Sequence, residues 1–103
     1  MRKTDKKIDN QIRQVLTQVC EIALNEYSGF QWLTHIVNYS DFPKSLQVIC
    51  VFDTPYSLNR FMASVERDTL SKLIQAKLLS IKVTIDSRQV CYDSEDNRNQ
   101  KTH

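Results

Sequence analysis

The first quarter of the chain carries apolar side chains at helical spacing. Within residues 4–27 they recur three and four positions apart, which places them on one stripe of a helix. The stripe consists of Ile8, Ile12, Val15, Leu16, Val19, Ile22, Ala23 and Tyr27. Thr4 suits the N-terminal cap, and Gly29, the only glycine of the chain, suits a left-handed C-terminal cap. The pattern therefore predicts one long amphipathic helix that ends just before Gly29.

Two segments rich in β-branched and aromatic residues follow, and they predict a hairpin. Residues 30–39 and 46–53 have the composition of strands, and the loop between them contains Pro43. If this loop closes symmetrically, Leu33 lies opposite Phe52 and His35 lies opposite Cys50. Because side chains alternate along a strand, all four residues share the face that we assign to the helices.

The opposite face of the predicted hairpin is apolar as well. It carries Trp32, Thr34, Ile36, Ile49 and Val51. Burying its four apolar side chains is worth about 6–12 kcal/mol in total, against an association cost of about 4–15 kcal/mol. A two-fold dimer buries two copies of the patch, so we expect a homodimer through the outer face of the 30–53 hairpin.

Two alternatives for this face stay open. The N-terminal arm, the tail or the last strand of the same chain can fold over the patch. The face can also be a platform for a ligand or a nucleic acid, because bases stack on the aromatic faces of sheets.

The second half of the chain predicts helix and then strand. Asp53-Thr54-Pro55 suits a helix start, and the helical pattern runs to about Leu79. Its apolar stripe rotates midway, which fits either one bent helix or two helices that meet near Asp68. Residues 81–85 alternate apolar and polar side chains and predict a third strand, and residues 90–92 suit an optional fourth.

The order of these elements predicts the fold class. The sequence of α-β-β-α-β, with an optional final β, is typical of an α+β two-layer sandwich with helices on one face of a small mixed sheet. The 103 residues suit a single domain. We place that domain at residues 1–92 and expect residues 93–103, which are polar and aperiodic, to form a flexible tail.

The charge of the chain is unevenly distributed. The formal net charge is +2, and the N-terminal arm holds Arg2, Lys3, Lys6 and Lys7. Residues 8–92 are balanced in charge. Lys and Arg supply most of the affinity for nucleic acids, so a nucleic-acid-associated module that uses the basic arm is the alternative function.

Few residues suggest catalysis or a cofactor. His35 opposite Cys50 resembles a nucleophile with its base, but a buried histidine and a small buried thiol account for the pair more simply. No C-x-x-C or H-x₃-H spacing occurs, and a single glycine leaves no glycine-rich phosphate loop. We therefore expect a non-catalytic interaction protein without a metal or a cofactor.

The cysteines and the apolar runs indicate a compartment. Cys20, Cys50 and Cys91 are widely spaced and odd in number, which is atypical of secreted disulfide frameworks. The N-terminus lacks the apolar core of a signal peptide, and no apolar run approaches the roughly 18 residues of a membrane span. We expect a cytoplasmic protein with no membrane partner.

Two resemblances add to this picture. The element order resembles the outline of KH-like folds, but the position of their G-x-x-G motif reads Glu66-Arg67-Asp68-Thr69, so RNA binding is not implied. The segments "MRKTDKKIDN" and "WLTHIVNYSDFPKSLQVICVFDT" resemble a family of short uncharacterised proteobacterial proteins, some of which are labelled Fis-type transcriptional regulators. This second resemblance implies a bacterial source and supplies no catalytic motif.

Overall fold

The structure is a computed structural model that describes residues 3–96. Within these residues, three helices and three strands follow one another in the order α-β-β-α-α-β. They are α1 (Lys3–Glu26), β1 (Phe30–Ile36), β2 (Gln47–Phe52), α2 (Pro55–Met62), α3 (Glu66–Leu79) and β3 (Val90–Ser94).

The strands form one mixed sheet with β2 in the centre. β1 pairs with β2 antiparallel, and β3 pairs with β2 parallel on its other edge. The inner face of β2 packs with the helices in one core, which confirms the α+β class and the single helical layer. Its main members are Ile12, Leu16 and Val19 of α1, Val48, Cys50 and Phe52 of β2, and Leu70, Ile74 and Leu78 of α3.

The long first helix and its glycine stop are confirmed. The apolar stripe of α1 faces the core, although Ile22 at its edge remains 38% exposed. Gly29 has φ +86°, the left-handed conformation that a C-terminal cap requires. Its carbonyl accepts a hydrogen bond of 2.8 Å from Asp53 N–H. This hydrogen bond links the turn between α1 and β1 to the residue that follows β2.

The hairpin register differs from the prediction by two residues. Leu33 pairs with Cys50 and His35 pairs with Val48, so His35 and Cys50 are not opposite each other. The symmetric loop was wrong because the chain around Asn38 folds into a capped turn. Ser40 N–H donates to Asn38 Oδ1 over 3.1 Å, and Asn38 N–H donates to Ser45 Oγ over 2.9 Å. An even shift preserves the alternation, so each residue keeps its predicted face.

The predicted strand at residues 81–85 does not form. Lys82 takes φ +64°, and Val83 N–H donates to the carbonyl of Leu78, so this stretch closes the C-terminus of α3. Val83 and Ile85 are buried as their alternation indicated, but outside the sheet. The optional strand predicted at residues 90–92 forms instead, and it is the third strand, β3.

The third strand also shortens the predicted tail. β3 runs to Ser94, so Asp93 and Ser94 belong to the sheet, whereas the prediction ended the domain at residue 92. Residues 97–103 of that tail lie outside the described residues, as do residues 1 and 2.

The helical pattern of the second half is resolved into two helices. They are separated at residues 63–65, earlier than the predicted junction at Asp68. Ser64 Oγ accepts from Glu66 N–H over 3.1 Å and so satisfies one amide at the start of α3, while Asp68 lies inside its first turn. The segment Glu66–Thr69 is therefore helical, unlike the loop that a G-x-x-G motif forms.

We predict that Gly29→Ala destabilises the fold by about 1–3 kcal/mol, because alanine is strained at a left-handed φ. An added Cβ would also lie 2.6 Å from Ser57 Cβ. Urea denaturation monitored by circular dichroism measures the loss. The neighbouring exposed position provides the control Ser28→Ala, which we expect to stay within about 0.5 kcal/mol of wild type. A Gly29→Ala protein as stable as wild type would contradict the geometry at this turn.

Candidate interaction surface

β1 lies at the edge of the sheet and is not protected in the usual ways. Within residues 3–96 it pairs with β2 alone, so no second strand lies along its outer edge. Edge strands commonly carry lysine, other charges or proline, which discourage further pairing. The sequence of β1, FQWLTHI, contains no Lys, Arg, Asp, Glu or Pro. By contrast, β3 at the opposite edge includes Asp93.

The five predicted interface residues come together on the outer face of the sheet. Trp32 pairs with Val51 and Thr34 pairs with Ile49, and Ile36 continues the same face of β1. Their exposure differs sharply. Val51 is 0% exposed and Ile49 is 9% exposed, whereas Ile36 is 56% exposed. Trp32 and Thr34 are half-buried. The accessible part of the face is therefore the row on β1.

The same chain reaches the outer face at its C-terminal side. Trp32 Nε1 donates a hydrogen bond of 3.2 Å to Glu95 Oε1, just beyond β3. Sequence reasoning placed Glu95 in a solvated tail and missed this contact. A half-buried indole needs an acceptor for its N–H, but the sequence does not indicate which acceptor. Internal cover thus accounts for part of the apolar face.

A groove lies between α1 and β1, and it reaches Thr34 and Ile36 at the edge of the sheet. Its volume is about 860 Å³, and residues of α1, of β1 and of the chain just after β1 line it. The apolar residues of the lining are Leu16, Cys20, Leu33, Ile36 and Val37. Because β1 is the edge strand, the groove opens at the same edge of the sheet as the outer row.

Asp9 joins α1 to β1 at the polar end of this groove. Its Oδ1 accepts from Tyr39 OH over 2.7 Å and lies 3.2 Å from His35 Nε2, which donates in the tautomer that carries its proton there. Its Oδ2 accepts from Arg13 Nε over 2.7 Å. Asp9 thus gathers partners from three places in the sequence, and it clamps the N-terminal half of α1 onto the strand.

The clamp shifts the protonation equilibria of its members. The hydrogen bond from Tyr39, with those from Arg13 and His35, lowers the pKa of Asp9 to about 2 against the opposing effect of burial. Burial, together with the Asp9 carboxylate, raises the pKa of Tyr39. Asp9 is therefore a carboxylate at neutral pH, and its oxygens serve structure. The Asp9–Arg13 spacing was readable as a helical ion pair, but its link to Tyr39 was not.

The cysteine–histidine pair considered from the sequence does not assemble. His35 faces Asp9, and Cys50 lies on the inner face of β2 with 0% exposure. Burial raises the pKa of the Cys50 thiol to about 12. The nucleophilic form of cysteine is the thiolate, so this thiol is protonated at neutral pH.

The described part of the basic arm lies on the first turns of α1. Lys6 and Lys7 are exposed there, while Arg2 and the side chain of Lys3 fall outside the described residues. Among residues 3–96, no three side chains of His, Cys, Asp or Glu are grouped as metal ligands. None of the helices in this range has the length and apolarity needed to cross a membrane.

Comparisons of the chain with protein-family models, with curated proteins and with solved structures find no match.

We predict that Asp9→Asn removes a pH-dependent part of the stability. Because the folded pKa of Asp9, about 2, is below its ordinary value of 3.8, its stabilising effect is complete above about pH 5 and is lost as the pH falls towards 2. The stability gap between wild type and Asp9→Asn should thus shrink by about 2 kcal/mol over this range. Urea denaturation at several pH values measures it.

Asp41→Asn is the matched control, because Asp41 is an exposed carboxylate in the turn after β1. The difference in unfolding free energy between wild type and Asp41→Asn should change by less than about 0.5 kcal/mol over the same range of pH. A gap between wild type and Asp9→Asn that is constant with pH would contradict the clamp.

Proposed function

We propose that this chain is a non-catalytic interaction protein that acts as a homodimer through the outer side of β1, with Trp32, Thr34 and Ile36 as contact residues. The observation that carries the proposal is the outer edge of β1, which has no charged or proline residue and carries the exposed Ile36. Such an edge is prone to association unless a partner covers it. The contact lies along β1 because Ile49 and Val51 have almost no accessible surface left.

The side-chain chemistry supports a role in binding over a role in catalysis. The carboxylate of Asp9 is engaged by Tyr39, His35 and Arg13, and burial keeps the Cys50 thiol protonated. Groups that catalyse reactions are usually tuned towards reactivity at neutral pH, and these two groups are tuned away from it. Cys20, Cys50 and Cys91 are free thiols, which supports a reducing compartment such as the cytoplasm.

Ile36→Lys should weaken the homodimer about tenfold or more, because two symmetry-related side chains each lose apolar contact area. Sedimentation equilibrium of the purified protein over a range of concentrations gives the dissociation constants. The position is suitable because Ile36 is 56% exposed in the single chain, so lysine there leaves the fold intact.

Leu79→Lys is the matched control, since Leu79 is 60% exposed and lies at the end of α3 and not on β1. Its dissociation constant should equal that of wild type. A monomeric wild type at every concentration would refute the homodimer. Equal dimerisation by wild type and Ile36→Lys would show that the interface lies elsewhere on the molecule.

A further inference from the structure

We infer that the two copies join strand to strand, with β1 pairing antiparallel to the partner's β1 about a two-fold axis at Thr34. The inference rests on the proposed homodimer and specifies how it is built. β1 has a regular outer edge along which no second strand of the described residues lies. Two such edges related by a two-fold axis satisfy each other's backbone groups.

The symmetry of the pairing selects the register. In an antiparallel pair about a two-fold axis perpendicular to the sheet, one residue lies opposite its own copy. The register of β1 with β2 is regular from Trp32 to Ile36 and irregular between Phe30 and Trp32, where Gln31 is the extra residue of a bulge. Thr34 is the midpoint of the regular stretch. Centring the axis there pairs the whole stretch and leaves the bulge outside.

The side chains of β1 are self-complementary in this register. Trp32 lies opposite the partner's Ile36 on the outer face, and Thr34 lies opposite the partner's Thr34. Aromatic and β-branched residues are favourable cross-strand neighbours, and so are two threonines. The pairing therefore covers Ile36, which is 56% exposed in the single chain.

The residue order of β1 favours a second copy over an unrelated extended peptide. On the outer face of β1, large apolar residues stand at the two ends of the stretch from Trp32 to Ile36, and a threonine stands at its centre. Antiparallel self-pairing places Trp32 of each copy opposite Ile36 of the other copy. No charge on β1 opposes its own copy, since the strand contains no Lys, Arg, Asp or Glu.

The pairing has a geometric consequence for the groove. An axis perpendicular to the sheet keeps the helices of both copies on the same side. The three strands of each copy then form one continuous sheet, and the two grooves between α1 and β1, each of about 860 Å³, open towards each other. The inner-face residues Leu33 and His35 of both copies lie at the centre of the joined floor.

The first test uses wild-type protein and nuclear Overhauser effects between differently labelled copies. The register predicts an intermolecular contact between the Trp32 indole and the methyl groups of the partner's Ile36. The Cβ atoms of these two residues would be about 4.5–5.5 Å apart. Within one chain the two residues are separated by about 13 Å along the strand. A dimer that lacks this intermolecular contact would overturn the register.

The second test is oxidative cross-linking of Thr34→Cys, with Gln31→Cys and wild type as controls. Thr34→Cys should form most of the cross-linked dimer, because the two cysteines face each other across the axis. Two copies of Gln31→Cys would be roughly 20 Å apart and should not exceed wild type, whose native cysteines set the background. Circular dichroism checks that each variant is folded.

The outcomes separate this inference from the homodimer itself. A wild type that is monomeric at all concentrations overturns both. A wild-type dimer with neither the Trp32–Ile36 contact nor excess cross-linking at position 34 overturns strand pairing and leaves a homodimer of another geometry. A dimer with both signals supports the pairing about Thr34.

Discussion

The central strand β2 is the constraint around which the rest of the chain is arranged. All residues from Val48 to Phe52 are buried, and both edges of the strand are paired. Burying side chains on both faces requires cover on both, and a single helical layer provides only one. The helices keep Val48, Cys50 and Phe52 dry on the inner face. On the outer face, Ile49 and Val51 are buried too, and they lie opposite Thr34 and Trp32 of β1.

This arrangement makes β1 cover one edge of β2 while its own outer edge stays accessible. It shields one edge of β2, and Trp32 lies across from Val51 on the outer face. β1 is then an edge strand itself, and it has no Lys, Arg, Asp, Glu or Pro to discourage association. The Asp9 clamp holds α1 against the inner side of β1 and so keeps the strand in place. The proposed dimer follows from this position, since a copy of β1 closes the edge that β1 cannot close alone.

The sequence predicted those features that repeat with a regular period. Alternation assigned Trp32 and Ile49 to one face and Leu33 and Cys50 to the other, and this assignment withstood a register shift of two residues. The helical stripe of α1 and the left-handed Gly29 followed from local chemistry in the same way.

Contacts between distant segments could not be read in this way. The bond from Trp32 to Glu95 spans 63 residues and that from Tyr39 to Asp9 spans 30, and neither leaves a periodic signal. Residues 81–85 show a related limit. Their alternation correctly indicated that Val83 and Ile85 are buried. The same alternation also occurs in an extended segment that packs on the core without joining the sheet. Lys82 in the left-handed region ends α3 in a position where glycine or asparagine is usual.

Amide hydrogen exchange at residue resolution, measured on wild-type protein at high and low concentration, shows whether a second copy covers the outer edge of β1. Amides of β2 should stay protected at both concentrations, because the strand is paired on both edges within one chain. The amides of β1 that point away from β2 should be protected in the concentrated sample and should lose that protection on dilution. Rapid exchange of these amides at both concentrations would contradict the claim that a second copy closes the edge.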